Sequence, residues 1–134
     1  MINIDLTNFQ RIENVNEMRY FNPGHTDYFY ILASGTYKWY NFKIYSRGYY
    51  PSIYIRIGDR ERFIDRKPMI DVHGGIILDK MVLHSLHLEN GCRWIGWEYN
   101  VAGDALGDND GGKRYTTEEL LNDMMAAVDQ LVSL

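Results

Sequence analysis

The stretch Thr36-Tyr37-Lys38-Trp39-Tyr40-Asn41-Phe42-Lys43-Ile44-Tyr45, followed after Arg47-Gly48 by Ser52-Ile53-Tyr54-Ile55-Arg56-Ile57, decides the fold. Tyr40, Phe42 and Ile44 alternate with Tyr37, Trp39, Lys43 and Tyr45. Ile53, Ile55 and Ile57 alternate in the same way with Ser52, Tyr54 and Arg56. Period two is the repeat of a pleated strand with its two faces in different surroundings, so the segment reads as two antiparallel strands joined at Arg47-Gly48. Upstream, Tyr28 to Ala33 reads as a further strand, with a turn expected at Ser34-Gly35.

The pattern changes towards the C-terminus. Thr116-Thr117-Glu118-Glu119 carries the spacing of a capping box, in which a Thr hydroxyl and a Glu carboxylate satisfy the free amides of a first helical turn. Leu120, Leu121, Met124, Met125, Val128, Leu131 and Val132 then form one apolar stripe. Strands in the middle and a helix at the end predict a single α+β domain over residues 1–134, with a largely antiparallel sheet and a C-terminal amphipathic helix packed on it. The N-terminal segment is ambiguous: Ile2, Ile4 and Leu6 suggest a short strand, and Phe9, Ile12, Val15 and Met18 a helix with Thr7 as its cap. Asn22-Pro23-Gly24 ends that segment in a turn. Met69 to His73 and Ile76 to Leu78 read as strand segments broken by Gly74-Gly75, and Arg93 to Tyr99 as another strand. Lys80 to Asn90 reads as an irregular loop or a short helix, and Asp104 to Gly112 as a loop.

A chain of 134 residues can bury about two-thirds of its unfolded surface without metal or disulfide. Its single cysteine, Cys92, cannot form an internal disulfide, Met1-Ile2-Asn3-Ile4-Asp5 lacks the charged and apolar regions expected of a signal peptide, and no apolar run has membrane length. Cytoplasmic localisation is expected. A net charge of −4 disfavours general nucleic-acid binding and favours a basic partner surface. The chain carries eleven tyrosines, three tryptophans and five phenylalanines, most of the tyrosines between Tyr20 and Tyr54; they serve as sheet packing or as a binding surface. Arg56, Arg60, Arg62, Arg66 and Lys67 surround one polar loop, either a solvated face or an anion-binding rim.

Two segments combine glycine, aromatic and ionisable residues more densely than a core requires: Asp71-Val72-His73-Gly74-Gly75, and Trp94-Ile95-Gly96-Trp97-Glu98-Tyr99-Asn100-Val101-Ala102-Gly103-Asp104. His73 precedes two glycines that allow close backbone approach, and an imidazole can change charge near neutral pH. Asp71, two residues earlier on the same expected strand, would face the same way and orient it. The candidate ligand- or partner-binding residues are Asp71, His73, Gly74, Gly75, Trp94, Trp97 and Asp104, with His73 and Asp104 expected to converge at one end of the sheet. The alternative is that His73 and Asp71 only brace the glycine turn and Asp104 only closes an Asx turn. His84 and His87, with His73, have a spacing that could hold zinc, but no partner motif accompanies them. Asp108-Asn109-Asp110-Gly111 has a faint likeness to a calcium loop, yet Lys113 stands where an EF-hand needs glycine.

From about Trp39 onward the paired segments resemble a family of small uncharacterised phage and prophage proteins with D-V-H-G-G and W-I-G-W-D-Y-A-H-A-G-D type motifs. Glu98 stands where the family has Asp, and Val101 where it has His; Asp104 matches the family's final position. The resemblance implies no catalytic residue, metal or cofactor that can be named. It implies a non-enzymatic accessory protein that binds a host protein or a nucleotide-like ligand, host-defence antagonists of the anti-CRISPR or signal-sequestering kind included. The alternatives are a metal-assisted hydrolase using Asp71, His73 and Asp104, and a structural subunit with the Met/Leu stripe of the last helix as an oligomer seam.

Overall fold

A computed structural model describes residues 6–11, 30–46, 50–58, 68–81, 93–104, 112–113 and 115–134. The strands are β1 (Leu6–Arg11), β2 (Tyr30–Tyr37), β3 (Tyr40–Ser46), β4 (Pro51–Arg56), β5 (Leu78–Met81) and β6 (Arg93–Glu98), and the helix is α1 (Thr117–Ser133). The strands form a six-stranded sheet in the order β1-β2-β3-β4-β6-β5. Every pairing is antiparallel. The α+β architecture read from the sequence is present, with α1 lying on the sheet.

The period-two pattern sorts the faces. Tyr40, Phe42, Ile44, Ile53, Ile55, Ile95 and Trp97 point to one side and close a core with Leu120, Leu121, Met124, Ala127, Val128 and Leu131 of α1. The opposite face is buried too: Tyr45, Ser52, Tyr54 and Trp94 are each at most 2% exposed. Tyr54 and Tyr45 meet edge to face at 5.9 Å. Across the pair, Tyr54 lies opposite Gly96, and its ring fills the space a side chain there would need. The buried tyrosines therefore follow the packing reading of the aromatic surplus.

Helix α1 begins as expected. Thr116 is the N-cap, its hydroxyl accepts from the Glu119 amide at 3.1 Å, and the Glu119 carboxylate accepts from the Thr116 amide at 2.9 Å. The bond from the Thr116 amide, set against partial burial and aided by Lys113, holds the Glu119 carboxyl below its usual range. The apolar stripe is spent on the sheet, which removes the oligomer seam expected of it: Leu120, Leu121, Met124, Val128 and Leu131 are buried. Of the stripe, only Val132 is strongly exposed.

Several expected boundaries are displaced. Ser34-Gly35 is not a turn but lies inside β2; the reversal is at Lys38 and Trp39, both at positive φ (49° and 74°), with Tyr37 opposite Tyr40. Two residues in the left-handed region suit the twist of a tight hairpin, but Asn-Gly is the usual solution, so Lys-Trp gives no compositional sign. Tertiary bonds hold it instead: Lys38 Nζ and the Tyr37 hydroxyl both reach Asp129 Oδ1, at 2.8 and 3.1 Å. Consequently Tyr37 joins the core and Trp39 sits at the tip, 86% exposed. Thr7 lies in β1 and caps no helix, because Leu6–Arg11 gains a ladder along β2. Met69 to His73 is not a strand, and the segment that pairs with β6 is Leu78–Met81. Ile12, Val15, Met18, Arg60, Arg62, Arg66, Lys67, His84, His87, Cys92 and Asp108 to Asp110 lie outside the described residues. Among the described residues no helix is long and apolar enough to cross a membrane.

Candidate functional site

Two β-turns carry the two motifs. In the first, the Gly75 amide donates to the Val72 carbonyl at 3.0 Å, with His73 and Gly74 at the corners; Gly74 has φ 71° and Gly75 φ 83°. In the second, the Asp104 amide donates to the Val101 carbonyl at 3.0 Å, and Gly103 has φ 94°. A turn with its third residue at positive φ needs glycine there, which explains Gly74 and Gly103 in the same way. The turns touch: a Cβ on Gly74 would lie 2.9 Å from Val101 Cγ1 and 3.6 Å from the Glu98 carbonyl oxygen.

The contact brings His73 onto Asp104, with Nε2 2.7 Å from Oδ2. Asp104 also accepts from the Val101 amide at 3.1 Å and, through Oδ1, from the Tyr115 hydroxyl at 2.9 Å. Its side chain is only 3% exposed, whereas that of His73 is 26% exposed. Every neighbour of this carboxylate is a donor, so it acts as a threefold acceptor and sets the ring: Nε2 carries a hydrogen, and in the neutral imidazole Nδ1 is the acceptor. Asp104 is thus both a turn-closing residue and a direct partner of His73, combining two readings that the sequence set apart.

Aromatic rings fix the imidazole from the other side. His73 stacks on Tyr99 at 4.5 Å between centroids with planes 14° apart, and meets Tyr115 edge-on at 5.6 Å. Trp97 Nε1 donates to the Tyr99 hydroxyl at 3.1 Å, which donates in turn to Asp123 Oδ2 of α1 at 2.7 Å. Burial above all, and the neighbouring Asp123 carboxylate, push the Tyr99 phenol far up, so it stays a neutral donor. Lys113 ties the second turn to α1: its amide donates to the Gly103 carbonyl at 2.8 Å, and its ammonium lies 4.7 Å from the Tyr115 ring centroid and 3.3 Å from Glu119 Oε2.

A cavity of about 370 Å³ opens here, lined by Asp71, Val72, His73, Trp97, Asp123 and Ala126. Asp71, His73 and Trp97 are thereby brought together, with Asp104 behind the imidazole. Asp71 does not orient His73 as expected, because the two do not share a strand. Its backbone is instead clamped by the Gln130 side-chain amide, which accepts from the Asp71 amide and donates to its carbonyl, both at 2.7 Å. Trp94 belongs to the opposite face of the sheet, one residue out of phase with Ile95 and Trp97, and takes no part in the cavity. Gly75 has open space around its α-carbon, so the steric demand expected there falls on Gly74. Glu98 accepts from Tyr50 and Asn100, at 3.3 and 3.2 Å, and Val101 packs over Gly74. Tyr99, Tyr115 and Asp123 were not singled out from sequence; one follows a strand, one precedes a cap and one lies on an outer helix face, positions that carry no signal of their own. Among the described residues no three His, Cys, Asp or Glu side chains gather closely enough to hold a metal ion, and Asp71, His73 and Asp104 do not form such a set. No protein-family model, curated protein or solved structure matches the chain.

Proposed function

We propose that this chain is a non-enzymatic binding protein whose recognition site is the cavity beside His73. One observation carries the reading. A buried carboxylate and an aromatic stack hold an imidazole in one orientation at the edge of a cavity, with its Nδ1 lacking a partner among the described residues. Such rigidity reduces the ordering cost of binding, and a cavity of this size is within the range of small-ligand and side-chain pockets. The motif resemblance adds the context of a phage or prophage accessory protein that meets a host factor in the host cytoplasm. Two carboxylates at the cavity disfavour a nucleotide phosphate, so a protein partner is the better form of that reading. The hydrolase reading has less support, since both oxygens of Asp104 already accept from His73, Val101 and Tyr115.

The test compares the native chain with His73→Ala in two assays: affinity capture from host lysate, and thermal-shift screening of cationic, anionic and neutral small molecules, cyclic nucleotides included. A partner or stabilising compound that the variant loses, while it stays folded with a melting temperature lowered by only about 3–4 °C, is the expected result. No partner and no stabilising compound, or identical binding by both forms, would refute the proposal.

A further inference from the structure

We infer that the cavity beside His73 takes a guanidinium group, an inference that rests on the proposed role of this cavity as the recognition site. Among the described residues, the polar side chains lining it are Asp71, His73 and Asp123, and the others are Val72, Trp97 and Ala126. Three donors of the described lining residues are already engaged: Trp97 Nε1 by Tyr99, the Asp71 amide by Gln130, and His73 Nε2 by Asp104. The remaining capacity is for accepting. Asp123 is steadied through Oδ2 by Tyr99 and keeps Oδ1 without a partner among the described residues. The Asp71 carboxylate and His73 Nδ1 also have none. A lining that offers two carboxylates and an imidazole nitrogen calls for a cation rich in hydrogen-bond donors.

Size and geometry choose among cations. A metal ion needs several ligands converging at bonding distance, and no such group exists among the described residues. A cavity of about 370 Å³ is also far larger than a bare ion requires. The two carboxylates come from different elements, Asp71 from the turn segment and Asp123 from α1, and both line the cavity. An ammonium is a compact, strongly hydrated point charge. A guanidinium presents five donors along the edges of a plane, is more weakly hydrated, and can meet both carboxylates while lying against apolar walls. A phosphate or carboxylate guest would meet two like charges instead.

The guanidinium could belong to a free small molecule or to an arginine side chain of a partner protein. The full-length chain is titrated with agmatine, with a capped Gly-Arg-Gly peptide, with cadaverine as the ammonium control and with inorganic phosphate. Binding is read from the His73 ring resonances, assigned by their loss in His73→Ala, and affinities from calorimetry. Agmatine, the arginine peptide or both should shift His73 and bind at least about tenfold more tightly than cadaverine, the scale of one charge-assisted hydrogen bond. Asp71→Asn and Asp123→Asn should each weaken this binding about tenfold at nearly unchanged melting temperature, since neither carboxylate lies in the core. Tighter binding of the peptide assigns the site to a partner's arginine; binding of agmatine alone assigns it to a small molecule. Equal binding of cadaverine would overturn the guanidinium assignment. Phosphate shifting His73, more strongly in the Asn variants, would overturn the cation assignment but leave the recognition site standing. Silence of His73 to every probe would overturn the guanidinium assignment, and the lysate capture would then decide the recognition site separately.

Discussion

Asp104→Ala should cost more stability than any other single change at the site, and Asp104→Asn should cost about half as much. The carboxylate is 3% exposed and accepts from three donors. Alanine removes all three acceptances. Leaving a buried donor unsatisfied costs about 1–3 kcal/mol, and His73 can turn partly to water, so the sum is about 4 kcal/mol. Asparagine can keep its oxygen on His73 and Val101 while its amide donates to the Tyr115 hydroxyl, which can accept as well as donate. It loses only the charge assistance, and about 2 kcal/mol is expected, or a fall of about 7 °C in melting temperature for a domain of this size. His73→Ala leaves Asp104 two of its donors and removes a partly exposed ring, so about 1 kcal/mol is expected. Urea unfolding of the three variants and of the His73→Ala/Asp104→Asn pair measures these values and the coupling between the residues. Asp104→Asn within about 0.5 kcal/mol of the native chain, or His73→Ala costing more than Asp104→Ala, would refute the reasoning, because the carboxylate would then not be the buried hub of the corner.

Gly74→Ala should destabilise by about 2 kcal/mol, combining positive φ with a clash on Val101, and Gly75→Ala by about 1 kcal/mol from φ alone; equal losses in urea unfolding would show that the turns do not touch as described. Trp39→Gly should stabilise by about 0.5–1 kcal/mol despite the loss of an indole, since Trp39 holds φ 74° at an exposed tip, and a lowered melting temperature would contradict this. Thr116→Ala should cost about 1 kcal/mol through the lost cap. Glu119 has a folded pKa below its usual value of 4.5, so its contribution is full above that pH and fades as pH falls through the folded value. The stability gap between the native chain and Glu119→Gln should therefore shrink on acidification, and a gap that widens would be inconsistent. Tyr45 is pushed up to about 12 by burial and by Tyr54, so its neutral form favours folding and stability should fall as pH rises from 10 towards 12. Phenolate absorbance should show Tyr45 titrating late, and complete reversible titration of all tyrosines near pH 10 in the folded chain would oppose that.

The elements that were legible in the sequence are those whose neighbours are local or repeat with a fixed period. The alternation of Tyr40, Phe42 and Ile44 reports burial on one face whichever strand lies beside it, and Thr116 to Glu119 satisfies its own first turn without outside help. The hairpin at Lys38-Trp39 could not be read because Asp129, nearly a hundred residues away, supplies its bonds. Ser34-Gly35 looked like a turn because glycine is the usual sign of one, yet Gly35 pairs with Phe42 in the middle of a ladder. The cavity was half legible. Asp71, His73 and Trp97 stand in distinctive motifs, but Asp123 and Ala126 lie on a helix face whose residues read as ordinary solvent-facing positions.

The meeting of His73 with Asp104 was expected for a reason that the structure replaces. It was to follow from Asp71 to His73 being a strand beside β6. In fact the register of the next segment is responsible. Leu78 lies opposite Gly96 in an antiparallel ladder, so each step back from Leu78 is a step forward from Gly96, and the Ile77 amide donates to the same Gly96 carbonyl at 2.9 Å, a slip of one residue where the ladder ends. Carried back from Leu78 with that slip, the register sets His73 level with Asn100, beside Val101 at the first residue of the turn that ends in Asp104. Gly74 and Gly103 bend the two chains at that level, and the small α-carbon of Gly74 lets Val101 close over it. A one-residue insertion between Gly75 and Leu78 should therefore leave the β5–β6 ladder intact while carrying His73 away from Asp104. Loss of the His73–Asp104 coupling in a double-mutant cycle, with the sheet preserved by amide exchange, is the expected result. Retained coupling would mean that the turns find each other independently of the strands.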